Sequence, residues 1–118
     1  MMNAKLVSFG ELEIDGRHFD HDVVIENGAV RKRLKKPSKA YRDRFGHTPL
    51  SAEEEIPWQG KQLFIGTGMF GALPVMPEVF AEAEQRGVEV VFDKSEVICR
   101  LLEECQPSDI NAILHVTC

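Results

Sequence analysis

LFIGTGMFGALPVMPEVFAEAEQRGVEVVF, residues 63–92, decides the fold. A short apolar run ending at Ile65 reads as a strand, and a glycine loop with two prolines follows it. Pro77 suits a first helical position, because the N–H it lacks would be unpaired there anyway. Val79, Phe80 and Ala83 give the helix one apolar face, and Gly87 suits its left-handed stop. Residues 88–92, VEVVF, then read as a buried strand. A strand, a helix and a second strand in that order imply a right-handed crossover and parallel pairing.

The pattern continues toward the C-terminus. Asp93 and Glu96 form a D-x-x-E capping box, which predicts a helix to about Cys105. Its apolar residues Val97, Ile98, Leu101, Leu102 and Cys105 keep helical spacing. Pro107 closes it, and residues 110–116, INAILHV, supply a last strand. This half is therefore β-α-β-α-β. The N-terminal half is different. Residues 5–9 and 11–14 read as two short strands or one bent strand, and Asp15-Gly16 as a turn. Residues 21–26, HDVVIE, are followed by Asn27-Gly28, a strong hairpin signal, with residues 29–34 returning. Residues 35–50 read as loop, with a short helix between Lys39 and Arg44. Ser51-Ala52-Glu53-Glu54 is a second capping box, predicting a helix that Pro57 ends early. The expectation is one three-layer α/β domain spanning residues 1–118. It has a mixed sheet, an antiparallel N-terminal hairpin region and a C-terminal β-α-β-α-β half.

The chain has 118 residues, 43% of them hydrophobic and 28% charged, ordinary values for a soluble globular domain. No apolar run approaches the roughly 18 residues needed to span a bilayer, and the first residues lack a secretory pattern. Cys99, Cys105 and Cys118 are odd in number and form no C-x-x-C, which points to cytoplasmic thiols rather than a disulfide framework. The net charge of −5 gives no case for nucleic acid. Charge is nevertheless concentrated. Residues 31–44 hold Arg31, Lys32, Arg33, Lys35, Lys36, Lys39, Arg42 and Arg44 against Asp43 alone. This basic segment, about 31–50, is a candidate surface for an acidic partner. It lacks the interleaved aromatic rings of a single-strand binder.

Three groups of residues bear on chemistry. Gly66, Gly68 and Gly71 form a G-x-G-x-x-G after a strand, and Asp93 closes the next strand roughly twenty residues on, as in a dinucleotide-binding unit. The helix, however, should start at the glycines to point its free N–H groups at a phosphate, and here it starts at Pro77. Backbone geometry accounts for the glycines better than a nucleotide does. His115 and Cys118 could act as base and thiol, but on a strand these positions face opposite sides. Residues 18–22, HFDHD, offer four potential metal ligands that only a turn would bring together, so neither metal nor cofactor is expected.

Four blocks carry a family resemblance: FGELEIDGRHFDHDVVIENGAVRKR (9–33), LFIGTGMFGALPVMPEV (63–79), RGVEVVF (86–92) and ILHVTC (113–118). The chain resembles the Mth-like domain, a domain of unknown function shared by a mitochondrial assembly factor of respiratory complex I and an adipogenesis-associated protein. The charged stretch from Lys35 to Glu55 departs most from that pattern. The resemblance implies a compact three-layer α/β domain with no established catalytic activity, some of whose relatives bind proteins during assembly. It also implies that Gly66, Gly68, Gly71, His115 and Cys118 belong to a signature. With Thr67, these would line one cleft if the glycine loop and the terminal strand lie side by side. The leading expectation is a non-enzymatic protein-interaction or assembly module. The alternative is a small-molecule or enzymatic site at the Gly66–Gly71 loop with His115 and Cys118.

Overall fold

The computed structural model describes Met1–Cys118. The chain builds two sheets. β1 (Ala4–Ser8), β2 (Glu11–Ile14) and β3 (Arg17–Phe19) form an antiparallel three-stranded sheet. β4 (Val23–Glu26), β5 (Ala29–Lys32), β6 (Gln62–Thr67), β7 (Glu89–Asp93) and β8 (Ala112–His115) form a five-stranded sheet in the order β5-β4-β8-β6-β7. β4 pairs antiparallel with β5 and β8, and β6 runs parallel to both β7 and β8. Two of the three hairpin turns, Asp15-Gly16 and Asn27-Gly28, take positive φ at both central residues, the twist that matches tight hairpins.

Alternation in the central strands creates the layers. Val23, Ile25, Phe64, Ala112 and Leu114 face one side, where they meet Leu12 and Ile14 of the small sheet and Ile98, Cys99 and Leu102 of α3 (Ser95–Leu102). Val24, Leu63, Ile65 and Ile113 face the other side, where they meet Val79 and Ala83 of α2 (Pro77–Arg86). The small sheet with α3, the large sheet, and α2 are thus three layers. The β6-to-β7 step and the β7-to-β8 step move in opposite directions across the sheet. Two crossovers of one hand must then place α2 and α3 on opposite faces, as observed.

The structure corrects several local expectations. No helix forms at the Ser51 capping box. Leu50 instead lies extended against residues 74–76, its N–H bonded to Pro74 O at 2.8 Å and its carbonyl accepting from Met76 N at 2.9 Å. Ser51 and Glu54 turn inward to partners distant in sequence. Asp93 does not cap α3. Lys94 occupies the cap position, and the Asp93 carboxylate accepts only the Lys94 N–H, at 2.7 Å. α3 ends at Leu102 rather than Cys105. Residues 35–50 are less loop-like than expected. A 3₁₀ turn over Lys36–Tyr41 runs into the short α1 (Arg42–Phe45).

Candidate functional site

The glycine loop leaves the end of β6 and meets the terminal segment directly. A Cβ on Gly66 would lie 2.7 Å from Ser95 Oγ. That hydroxyl donates to His115 O at 2.5 Å and accepts from Gly68 N at 2.9 Å, tying β6, α3 and β8 together. Gly68 has φ of 103°, and a Cβ there would lie 2.3 Å from the Cys118 backbone carbon. Three of the loop amides point at this segment. Met69 N donates to Thr117 O at 2.7 Å, and Phe70 N and Ala72 N each donate to Cys118 O at 3.0 Å. Thr67 Oγ1 donates to Asp93 O at 3.0 Å. So Gly66, Thr67, Gly68, Gly71, His115 and Cys118 do gather in one corner. The amides that would hold a phosphate there are bonded to residues 117 and 118.

Beneath this corner lies a buried polar network centred on Asp22, a residue the sequence reading weighed only as a metal ligand. Asp22 precedes β4. Its Oδ1 accepts Val116 N at 2.9 Å, and its Oδ2 accepts Arg33 Nη1 at 2.8 Å and lies 2.8 Å from His115 Nδ1. Arg33 reaches onward with Nε and Nη2 to both oxygens of Glu54, each at 2.8 Å, and Nη2 also donates to Pro49 O at 2.9 Å. The Ser38 hydroxyl joins the Glu54 carboxylate and lies 2.7 Å from Ser51 Oγ. Burial pushes the Asp22 carboxyl up. The His115 hydrogen bond and charge, the Val116 amide and Arg33 together outweigh it, and hold the group at about 2. Burial opposes the charge on Arg33 as well, yet Glu54 and Asp22 raise its pKa.

Arg33 is therefore removed from the basic surface, because its side chain is only 1% exposed and is committed to two carboxylates. Lys32, Lys35, Lys36, Lys39, Arg42 and Arg44 are exposed along β5, the 3₁₀ turn and α1. Arg31 is half-buried, its Nη2 donating to Glu55 O at 2.8 Å. A run of like letters in the sequence thus contains one core ion. No alternation in the sequence sets it apart, since the apolar residue of β5, Val30, has the opposite parity.

His115 also lies 3.1 Å from Thr117 Oγ1 through Nε2. The Nδ1 side of the ring thus faces the Asp22 carboxylate and the Nε2 side faces the Thr117 hydroxyl. Thr117, rather than Cys118, is the side chain this imidazole touches. His18 and His21 diverge. His18 Nδ1 lies 2.9 Å from Glu11 Oε1, and His21 Nδ1 lies 3.0 Å from Asp22 O. Burial, with Glu103 and Glu96 nearby, pushes the Cys99 thiol up to about 12, which leaves it an inert core residue.

The exposed feature nearest the loop is aromatic. Phe70 on the loop, Phe92 on β7 and Phe9 in the β1–β2 turn are 65%, 55% and 53% exposed. Phe9 and Phe70 rings lie 6.2 Å apart, and Phe92 meets Phe80 of α2 edge-on at 5.4 Å. Between them Phe70, Leu73, Phe80 and Phe92 line an open depression of about 580 Å³ at the carboxyl ends of β6 and β7. Open α/β sheets bind their ligands at such ends.

The fold and this corner define a small α/β domain whose glycine loop is closed by its own terminal segment. The chain is 33% identical to the conserved hypothetical protein PH1505 from Pyrococcus horikoshii OT3. That structure matches with a TM-score of 0.81 over 99% of this chain and 100% of that one. The chain belongs to the family of that protein. It is also similar to the solved structure of MT938, at 25% identity and a TM-score of 0.70 over the whole of both chains. An outer membrane protein from Bartonella henselae shares the fold alone, at 14% identity and a TM-score of 0.61 over 98% and 96% of the two chains. No family model and no curated protein matches the chain. No helix is long and apolar enough to cross a membrane.

Proposed function

We propose that this protein is a non-enzymatic interaction or assembly module whose docking face is the aromatic shelf of Phe9, Phe70, Phe80 and Phe92. The contiguous exposure of four phenylalanine rings carries this reading. Isolated surface apolar residues need no explanation, but a joined aromatic patch rimmed by polar residues marks a contact surface. Aromatic side chains also dominate the energetics of protein interfaces. The exposed cations of residues 31–44 then steer an approaching partner rather than anchor it. The Mth-like assignment and a cytoplasmic location belong to the same reading, supported by the four sequence blocks and the three free thiols.

Native mass spectrometry of protein purified gently from its own host tests this. The expected result is a bound polypeptide that is lost in Phe70→Ser and Phe92→Ser variants. A retained small-molecule mass, with no polypeptide, overturns it.

A second reading has one specific observation behind it. Asp22, His115 and Thr117 stand in the order of a carboxylate, an imidazole and a hydroxyl at hydrogen-bonding distances. In acyl transfer His115 would take the Thr117 proton as the oxygen attacks an ester carbonyl and hand it to the departing alcohol, then take a proton from the water that releases the acid and return it to the Thr117 oxygen. It ranks second because the Phe70 and Ala72 amides of the glycine loop are bonded to Cys118 O rather than free to hold an oxyanion. Hydrolysis of p-nitrophenyl acetate that is equal in the wild type, His115→Gln and Thr117→Val retires it.

A further inference from the structure

β7 is the last strand of the large sheet and pairs only with β6. Its outer side can be read from its ends. Glu89 N donates to Lys61 O, and Asp93 O accepts from Thr67 Oγ1, so both residues turn their backbone groups toward the β6 side. In an extended strand a residue's N–H and C=O point the same way, and successive residues alternate. Val91 therefore also points inward. Val90 and Phe92 point their N–H and C=O groups outward, four groups with no strand beside them.

Natural sheet edges are usually blunted by lysine, proline or a bulge. The opposite edge, β5, carries Arg31 and Lys32. β7 reads Glu89-Val90-Val91-Phe92-Asp93, without proline or cation, and its register with β6 is unbroken from Gln62↔Glu89 to Gly66↔Asp93. The side chains of Val90 and Phe92 share the α2 face, so the open edge continues into the shelf made by Phe80 and Phe70. Glu89 and Asp93 stand exposed at its two ends. Outside residues 31–44 the chain carries six basic against eighteen acidic residues, so the wider surface is acidic too.

We infer that β7 is a strand-addition site for an extended segment of a partner protein, apolar at alternate positions and cationic at both ends. Backbone bonds to Val90 and Phe92 give the segment its register, the aromatic shelf takes its apolar side chains, and Glu89 and Asp93 pair with its terminal cations. A second copy of this chain fits poorly. Antiparallel pairing of two β7 strands about Val91 sets Glu89 opposite Asp93 at both ends, and like charges directly opposite are destabilising. The inference rests on the docking-module reading and adds to it the mode of docking and the chemistry of the partner.

The test uses the full chain, isotope-labelled, with the capped peptide Lys-Val-Thr-Val-Lys as probe, its lysines on one face and its valines on the other. Comparison peptides carry N-methylated central amides or glutamate in place of both lysines. Backbone chemical shifts and amide exchange are followed by NMR. The expected result is slowed exchange at Val90 and Phe92, with affinity at least tenfold lower for either comparison peptide. A Val90→Pro variant removes an outward N–H while keeping the β6 ladder, and should lose the probe with its other shifts unchanged. Equal binding of the N-methylated peptide, with shifts confined to Phe70 and Phe80, overturns strand addition but leaves the aromatic docking reading standing. No binding at 1 mM probe overturns the inference, while partner retention in native mass spectrometry separately reports on the docking reading. Protection of the same amides by self-association alone, seen as a dimer in sedimentation, overturns it in favour of a second copy.

Discussion

Asp22 illustrates how much one side chain can organise. It bridges the start of β4 to the end of β8 and holds Arg33 and His115 at once. Its depressed pKa makes it a source of acid sensitivity. A carboxyl lowered from 3.8 to about 2 contributes stability that is present above pH ~4 and lost as pH falls toward 2. The difference amounts to roughly 2 kcal/mol. Urea unfolding measured from pH 6 down to pH 2 should show this loss. An Asp22→Asn variant should be less stable by about 3–5 kcal/mol at pH 6, since Arg33 loses a buried partner, and should show a shallower decline below pH 4. An unchanged acid limb in the variant would assign the sensitivity elsewhere.

At the level of elements, the glycines divide by what surrounds them. Gly87 ends α2 with φ of 68° and has nothing within 4 Å of the place a Cβ would take. Gly68 has φ of 103° and the Cys118 backbone 2.3 Å from that place. Gly87→Ala should therefore cost about 1 kcal/mol, the backbone penalty alone. Gly68→Ala should cost about 2–4 kcal/mol, because the terminal segment must also move. Thermal unfolding of the two variants checks the order, and equal midpoints would contradict the packing of residues 117 and 118 against the loop. The same division explains why the G-x-G-x-x-G pattern misleads when read alone. Glycine is required equally where a phosphate approaches a backbone and where another stretch of the same chain does.

For the molecule as a whole, charge and apolar surface are separated. Cations gather on β5 and the following 3₁₀ turn and α1, at one edge of the large sheet, and the exposed rings gather at the carboxyl ends of β6 and β7. Steering and anchoring should then separate experimentally. Reversing Lys35, Lys36 and Lys39 to Glu should slow association with the partner and flatten its salt dependence, with dissociation little changed. Replacing Phe70 and Phe92 by Ser should mainly speed dissociation. Surface plasmon resonance on the purified complex distinguishes the two. The lysine variant should keep its stability within about 0.5 kcal/mol, since those side chains are exposed, whereas the buried Arg33 has no such tolerance.

The sequence by itself determined the β-α-β-α-β order, the Asn27-Gly28 hairpin, and the Pro77 start and Gly87 stop of α2. These follow from local periodicity and turn chemistry, which act over a few residues. Only the tertiary structure decided the rest. Ser51 and Glu54 spell a helix start, yet their oxygens bond to Ser38 and Arg33 because burying that arginine requires them. Arg33 reads like its basic neighbours until Asp22 and Glu54 close around it. The six residues expected to share a cleft do meet, but through backbone contacts that seal the loop amides. Which of the phenylalanines stay outside depends on which faces α2, α3 and the small sheet cover, and that is a matter of long-range packing that no local pattern encodes.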